Sequence, residues 1–274
     1  MKKMIFFLTL FLTTNLFAKG ILGIIFLPPF MTEKEHKVEK IIKKDEKLFF
    51  PKQIIQQYLK KDIKLVKEPS GEFYKNHPNI KEAGFMVYYN CNDKKPDAVA
   101  YPVYGSLIDE KNLPRKNLSF RPDYQLPKKC RSYPNDYTNS GEDRGHKAPN
   151  ANFDFDRKIQ KQTFLMSNIA PQAKWLNRKY WAKVERYVRF LARKTGKVYV
   201  ITGSCGNKGY LRHKVVIPKW WYKIIYIPSI NKYRAFLAPN INEGMKTAKL
   251  KKYLSTIEEI KKICYDNVKH WYNN

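Results

Sequence analysis

Two hydrophobic periodicities divide this chain. Phe85-Met86-Val87-Tyr88-Tyr89 and Ala98-Val99-Ala100-Tyr101-Pro102-Val103-Tyr104 are short aromatic and β-branched runs, which read as strands. Asn92-Asp93-Lys94-Lys95-Pro96 between them is turn chemistry, so the two runs predict a hairpin. A wider spacing follows. Leu176, Tyr180, Val184, Tyr187, Val188 and Leu191 recur at three- and four-residue steps, the buried stripe of a helix over 171–195. Pro171 suits its first turn, and Gly196 suits its C-terminal cap. Just before it, Thr163-Phe164-Leu165-Met166 is a short strand candidate. Strand patterns return over 197–203, 215–218, 222–227 and 235–237. Thr256-Ile257-Glu258-Glu259 is a capping box and predicts a short C-terminal helix. Strand runs grouped before and after a long helix predict an α+β fold, with a mixed or antiparallel β-sheet core flanked by helices.

The chain before Phe85 is patterned differently. After Pro51, Ile54, Ile55, Tyr58, Leu59 and Ile63 recur at helical steps, and Glu68-Pro69-Ser70-Gly71 ends them. Residues 32–47 are dense in Lys and Glu, a solvated linker or exposed helix. The start reads as a secretory signal: Lys2 and Lys3, an apolar run from Met4 to Phe17, and a small-residue cleavage site at Ala18. That run is short of the roughly 20 apolar residues of a membrane span. Ile21 to Phe30 is apolar again, so an uncleaved anchor stays open. The expected organisation is a signal peptide at 1–18, a basic N-terminal extension with a helix at 19–82, and one domain at 83–274.

Composition adds one unusual property. With 43% hydrophobic and 15% aromatic residues the chain is globular, not disordered. Lys and Arg number 53 against 24 Asp and Glu, a net charge of +29. Such a field attracts polyanions, although solvated lysines alone produce the same count. Cys91, Cys130, Cys205 and Cys264 are widely spaced with no C-x-x-C pair, which argues against a zinc site. In an exported chain they form two disulfides, with three connectivities open.

Candidate chemistry concentrates between Tyr137 and Glu185. Phosphodiester hydrolysis needs a base for water, a cation for the developing charge, and positive groups that hold the phosphate. His146 is the natural base. Arg144, two residues earlier on a strand, projects to the same side and offers a bidentate fork. Gly145 between them permits close approach of backbone or substrate. Asn177 offers a carboxamide oxygen to a hard cation such as Mg²⁺, and Glu185 can hold one of its waters. Lys174, Arg178, Lys179, Lys183, Arg186 and Arg189 make the helix's other face basic, a solvated face or a backbone rail. The loop over 105–136 carries Arg115, Arg121 and Arg131, either phosphate-gripping or ordinary surface charge. His36, His77, His213 and His270 have no comparable neighbours and read as structural.

Taken together, Asp143-Arg144-Gly145-His146, the Ser167-Asn168-Ile169-x-Pro171-Gln172 run, and Asn177 with Trp181 and Glu185 resemble the DNA/RNA non-specific endonucleases. That family includes secreted sugar-non-specific bacterial nucleases and mitochondrial endonuclease G. The resemblance extends over roughly residues 83–265. It implies an embedded ββα-metal (His-Me) finger, with His146 as general base and Asn177 as the direct protein ligand of Mg²⁺, for which Mn²⁺ can substitute. It further implies that Glu185 binds metal water, Arg144 stabilises the transition state, and Asn168 supports the site. The family also uses an upstream arginine, for which Arg115 and Arg121 both stand near Phe120 and Asp123. Glu142 departs from the family, which usually has an aromatic there.

The expectation is therefore an exported, periplasmic or extracellular, Mg²⁺-dependent endonuclease, membrane-anchored if the signal stays uncleaved. Its substrates would be DNA and RNA, gripped through the phosphate backbone with little sequence preference. Cleavage leaving 5′-phosphates is implied by the resemblance alone. The alternative is a non-catalytic envelope nucleic-acid-binding protein on the same scaffold. No stable protein partner is evident from the sequence, and a homodimer is left open.

Overall fold

The computed structural model describes residues 63–264. The expected signal, the Lys/Glu-dense 32–47 and the helical pattern at 54–59 lie outside the described residues. In chain order the elements begin with β1 (Ile63–Lys67), α1 (Gly71–Asn76), β2 (Phe85–Asn90), β3 (Lys95–Tyr104) and α2 (Gly105–Ile108). Then come β4 (Glu142–His146), α3 (Arg157–Thr163), β5 (Ile169–Ala173), a π-helical turn (Leu176–Trp181) and α4 (Ala182–Thr195). The last are β6 (Lys197–Cys205), β7 (Trp220–Ile227), β8 (Lys232–Pro239), β9 (Leu254–Ser255) and α5 (Ile257–Ile263).

Seven strands form one sheet in the order β1-β2-β3-β6-β7-β8-β9, and every pairing is antiparallel. The expected α+β class is what the chain adopts. One face carries Tyr88, Ala98, Ala100, Ile201, Tyr222, Ile224, Ala235 and Leu237, and α5 covers it with Ile257 and Ile260. The opposite face carries a cross-strand row, Val99, Thr202, Lys223 and Phe236. There α4 packs, with Tyr187 edge-on to Phe236 at 5.9 Å. The ribbon β4–β5 stands apart as a separate two-stranded sheet.

Several local expectations hold for the reasons that generated them. The β2–β3 hairpin forms around the Asn92–Lys95 turn chemistry. Gly196, at φ 81°, ends α4 in a backbone conformation that costs other residues more. The Thr256 hydroxyl accepts from Glu259 N while the Glu259 carboxylate accepts from Thr256 N, closing the capping box.

Others are corrected. Ile63, read as the end of a helix, begins edge strand β1, which pairs with β2 from Ile63↔Tyr89 to Lys67↔Phe85. The sheet thus takes in part of the stretch expected as an N-terminal extension. Pro171 lies in β5, not in the helix, which begins at 174. A proline with no N–H fits this short ribbon. Its carbonyl accepts from Trp221 Nε1 at 3.2 Å and Asn240 Nδ2 at 3.3 Å. The strand expected at 163–166 is the end of α3 and a turn, because Asp156 caps that helix through Lys158 N and Ile159 N. Over 215–218 there is a loop with a single bridge, Tyr210↔Val216.

The two disulfides are Cys91–Cys130 and Cys205–Cys264. The first ties the β2–β3 turn to the long loop before β4. The second ties α5 to the end of β6. Because Cys205 and Cys264 are 59 residues apart, their bond removes much loop entropy from the unfolded chain, about 4 kcal/mol by the chain-entropy relation. Replacing both by serine should lower unfolding free energy by roughly 2–4 kcal/mol in urea titration. An unchanged midpoint would mean that α5 docks without its covalent tie.

Candidate active site

The site is built where β4 meets the helix that follows β5. On β4, Arg144 and His146 share one side, as two-residue spacing requires. Gly145 faces the other way and is buried. A Cβ there would lie 2.4 Å from Gln172 Oε1 and 2.9 Å from Trp221 Cη2. The glycine therefore lets the ribbon settle onto the sheet, and the close approach it serves is packing.

The His146 ring packs against Phe120 and Phe164, each 5.3 Å away and the second edge-on, and those two rings lie 5.4 Å from each other. Burial pushes its pKa down to about 3, and the positive charge of Arg115 acts in the same direction. The imidazole is thus neutral at ordinary pH. Its Nε2 is buried and meets no hydrogen-bond partner among the described residues. A base awaiting a water proton has that character.

Arg144 rests on aromatic rings, with Cζ 5.5 Å from the Phe120 centroid and 5.9 Å from that of Tyr137. One Nη2 bond to the Pro134 carbonyl, at 2.9 Å, anchors it. Its Nε is buried without a partner among the described residues. The guanidinium is held at its edge and keeps donor capacity for an anion.

Asp143 joins the two halves. Arg178 donates to both carboxylate oxygens at 2.7 Å, and Asn177 Nδ2 donates to Oδ2 at 3.0 Å. Burial works against the Asp143 charge, but the Arg178 and Asn177 hydrogen bonds win and hold its pKa below the usual value. An ionised carboxylate only accepts, so the amide end of Asn177 must face it. The carbonyl oxygen of Asn177 is consequently turned away from Asp143, available as a hard neutral ligand.

Glu185 lies in the first turn of α4. Burial raises its pKa, while the charges of Lys223, Arg189, Arg186 and Arg115 pull it back. Lys223 is fully buried in the sheet and donates to Tyr101 Oη at 3.1 Å and to Thr202 Oγ1. Burial pushes Lys223 down to about 7 against the attraction of Glu185. Tyr101 Oη in turn donates to the carbonyl of Lys147, the residue after His146, at 3.3 Å. The carbonyl of Asn177 and the carboxylate of Glu185 are hard oxygen donors, the type a divalent cation that keeps several waters accepts.

The Asn168 side chain bonds to backbone groups. It is fully buried and grips the chain just past His146. Its Oδ1 accepts from Ala148 N, and its Nδ2 donates to the carbonyls of Ala148 and Thr163, all at 2.9 Å. The two upstream arginines have different surroundings. Arg115 lies 5.0 Å over the Phe164 ring, and its charge acts on both His146 and Glu185. The charge of Arg121 bears instead on Lys67.

Two residues beside the candidate site were given no part in it by the sequence reading. Arg189, assigned to the exposed face, is half-buried, reaches Asn152 Oδ1 at 3.3 Å and sets its charge against Glu185. Its i+4 position from Glu185 was the available signal. Asp143 was part of a motif without a role. The Glu142 departure also finds a use: its carboxylate takes Lys208 Nζ at 3.0 Å.

A histidine and an arginine on one side of a two-stranded ribbon, with an asparagine and a glutamate on the helix that follows, have the layout of a ββα finger. The chain belongs to the DNA/RNA non-specific endonuclease family, whose model matches residues 69–273. It is 31% identical over 204 residues to the mitochondrial nuclease of Saccharomyces cerevisiae, covering 63% of this chain and 61% of that one. It is 32% identical over 185 residues to nuclease C1 of Cunninghamella echinulata var. echinulata, covering 61% and 73%. To human mitochondrial endonuclease G it is 31% identical over 166 residues, covering 54% and 55%. The matches thus span between about half and three quarters of these relatives. The fold is shared with a chain in a crystal structure of the EndoG/EndoGI complex, at a TM-score of 0.61 and 22% identity, covering 78% of this chain and 90% of that chain.

Asn168→Ala leaves the buried Ala148 amide without its acceptor and removes the donor to two carbonyls. It should cost roughly 3 kcal/mol of stability, read by urea denaturation. A variant as stable as wild type would show that the loop after His146 is held by other contacts.

Proposed function

We propose that this chain is an exported endonuclease that uses Mg²⁺ to hydrolyse phosphodiester bonds of DNA and RNA with little sequence preference. The observation that carries the reading is the Asp143 clamp, which fixes Asn177 and its carbonyl beside the strand that ends in His146. In this proposal His146 Nε2 takes the proton of the attacking water. Arg144 turns its free donor capacity to the scissile phosphate. Asn177 and Glu185 would hold the metal, directly and through water respectively. When bound, Mg²⁺ would neutralise the charge developing on the phosphate and the leaving 3′-oxygen. Arg115 and Arg189 would add positive charge on either side of Glu185. Asn168 is a positioning residue, acting through the loop after His146. Cleavage leaving 5′-phosphates belongs to this proposal, as does a periplasmic or extracellular destination. Among the described residues no helix is long and apolar enough to cross a membrane. The absence of sequence preference has a physical basis, since phosphate contacts carry no base information.

Plasmid digestion separates this reading from that of a non-catalytic binder. Wild type should nick and linearise plasmid in Mg²⁺ and stop in EDTA, while His146→Ala should be slower by ~10²–10⁴-fold. Wild type that binds plasmid and leaves it intact would refute the enzyme, and a fully active His146→Ala would refute the base.

The pH profile supplies an independent check. Burial lowers the pKa of His146, so the neutral base persists until the pH falls through about 3. Burial raises that of Glu185 above the ordinary carboxylate value, so its negative charge is lost first on acidification. The acid limb of kcat/KM should therefore be set by Glu185 and not by a histidine near its ordinary value of about 6.5, and should flatten in Glu185→Gln. A limb at or above that value, unmoved in the Gln variant, would assign it to a solvated histidine.

A further inference from the structure

The loop between β6 and β7, residues 206–219, contains no Asp or Glu. It is a folded element, closed by Leu211 N→Val215 O at 2.8 Å, Ile217 N→Gly209 O at 2.8 Å and Lys208 N→Ile217 O at 2.9 Å. Its inner side is apolar: Leu211 and Val215 are buried with Tyr137, Met166 and Ile169, and Phe120 packs on the same cluster. Phe120 is also the ring beside His146 and Arg144. The loop therefore forms a wall next to the candidate site.

Its tip is held in an unfavourable backbone conformation. His213 and Lys214 both lie in the left-handed region, at φ 54° and 63°, which non-glycine side chains resist. The compensation is Asp136, buried, which accepts from His213 Nδ1 at 2.5 Å and from Tyr133 N at 2.7 Å. Asp136 belongs to the 3₁₀ turn Pro134–Tyr137. The same turn anchors Arg144, through the Pro134 carbonyl and the Tyr137 ring. One turn thus holds both the arginine at the site and the loop tip. Arg212, His213 and Lys214 are all exposed at the tip, the His213 ring bonding to Asp136 at its inner edge, with Tyr210 at 62% exposure beside them. Lys208 is already committed to Glu142 and the Asn240 carbonyl.

We propose that this loop is a second phosphate-contact surface, on which Arg212 and Lys214 grip the nucleic-acid backbone beside the phosphate at Arg144, with Tyr210 as a base-stacking platform. The proposal rests on the nuclease reading and deepens it, by giving long polynucleotides a binding surface that short phosphodiesters do not reach. Lysine and arginine at the tip serve backbone phosphates of any sequence, and an exposed tyrosine stacks on any unpaired base.

Binding of a labelled DNA duplex is measured against salt in a His146→Ala background, with and without Arg212→Gln/Lys214→Asn. Asparagine tolerates the left-handed backbone at 214. The slope of log Kd against log salt should fall by about 2, at roughly 0.9 per lost phosphate contact. Affinity at low salt should fall roughly tenfold or more by the same relation. Arg212→Lys/Lys214→Arg, which keeps both charges, should restore the slope. With His146 intact, kcat/KM for a small chromogenic phosphodiester should be the same in wild type and Arg212→Gln/Lys214→Asn. Tyr210→Ser should weaken single-stranded DNA more than duplex. An unchanged salt slope in a stable, active enzyme overturns the proposal alone. A parallel loss on the small ester overturns it too, since the loop would then act through the site's structure. Wild type that hydrolyses neither substrate takes down the nuclease reading, and this proposal with it.

Discussion

The arrangement depends on one carboxylate. Asp143 sits on a strand of a detached two-stranded ribbon, and its partners Asn177 and Arg178 sit on the turn that opens the long helix. Without it, the ribbon would still pack on the sheet, because Gly145 lets β4 approach Trp221. Packing is non-directional, however, and would not decide which end of the Asn177 amide faces the site. The ion pair with Arg178 fixes the carboxylate, and the carboxylate fixes the amide. Arg178 itself is exposed, so the pair's value lies in orientation more than in stability, as for most solvent-facing ion pairs. The π-helical turn at Leu176–Trp181 places Asn177 and Arg178 on this one acceptor; such turns recur at functional sites.

Beneath the clamp, the sheet buries cations. Lys67 is paired with Asp123 at 2.6 Å, and Lys95 with Asp97 at 2.7 Å. Lys223 donates to the Tyr101 and Thr202 hydroxyls and feels the charge of Glu185. Lys147 Nζ has no hydrogen-bond partner among the described residues and lies 3.5 Å from the Trp221 ring centroid. Burial drives its pKa well down, with the charge of Lys95 acting in the same direction. A buried ammonium is expensive unless paired or resting on an aromatic face. Two of these lysines lie on the path linking the halves of the site, one following His146 and one feeling the charge of Glu185. The hydroxyl of Tyr101 touches both, accepting from Lys223 and donating to the Lys147 carbonyl.

This division explains what could be read from sequence. Strands β2, β3, β6, β7 and β8 were legible because their side chains alternate between two buried faces. The capping box at Thr256 was legible because its hydrogen bonds are local. Ile63–Lys67 was not, since Ile63 continues a helical spacing and only its pairing with β2 makes it a strand. Pro171 was misplaced for a related reason: its strand role comes from Trp221 and Asn240, 50 and 69 residues away. At the site, His146, Arg144, Asn177 and Glu185 were visible as a motif, because their chemistry depends on residue type and short spacing. Arg115 could not be separated from Arg121 by position, because the difference lies in which ring, Phe164, the loop lays it against. The disulfide pairing likewise depends on which strands become neighbours.

The +29 charge then has two uses that composition alone merges. The buried lysines are paired or stacked, and their field is spent locally, against Glu185 and the carboxylates of the sheet. Solvent-facing arginines and lysines such as Arg212 and Lys214 keep a long-range field that salt can screen. A protein that recognised bases would need donors and acceptors fixed at groove spacing. Here the fixed polar groups are turned inward to orient the site, and the outward ones are mostly flexible cations. Fixed geometry for the chemistry and loose charge for the grip are what a nuclease indifferent to sequence requires, because the phosphate is the part of the substrate that does not vary.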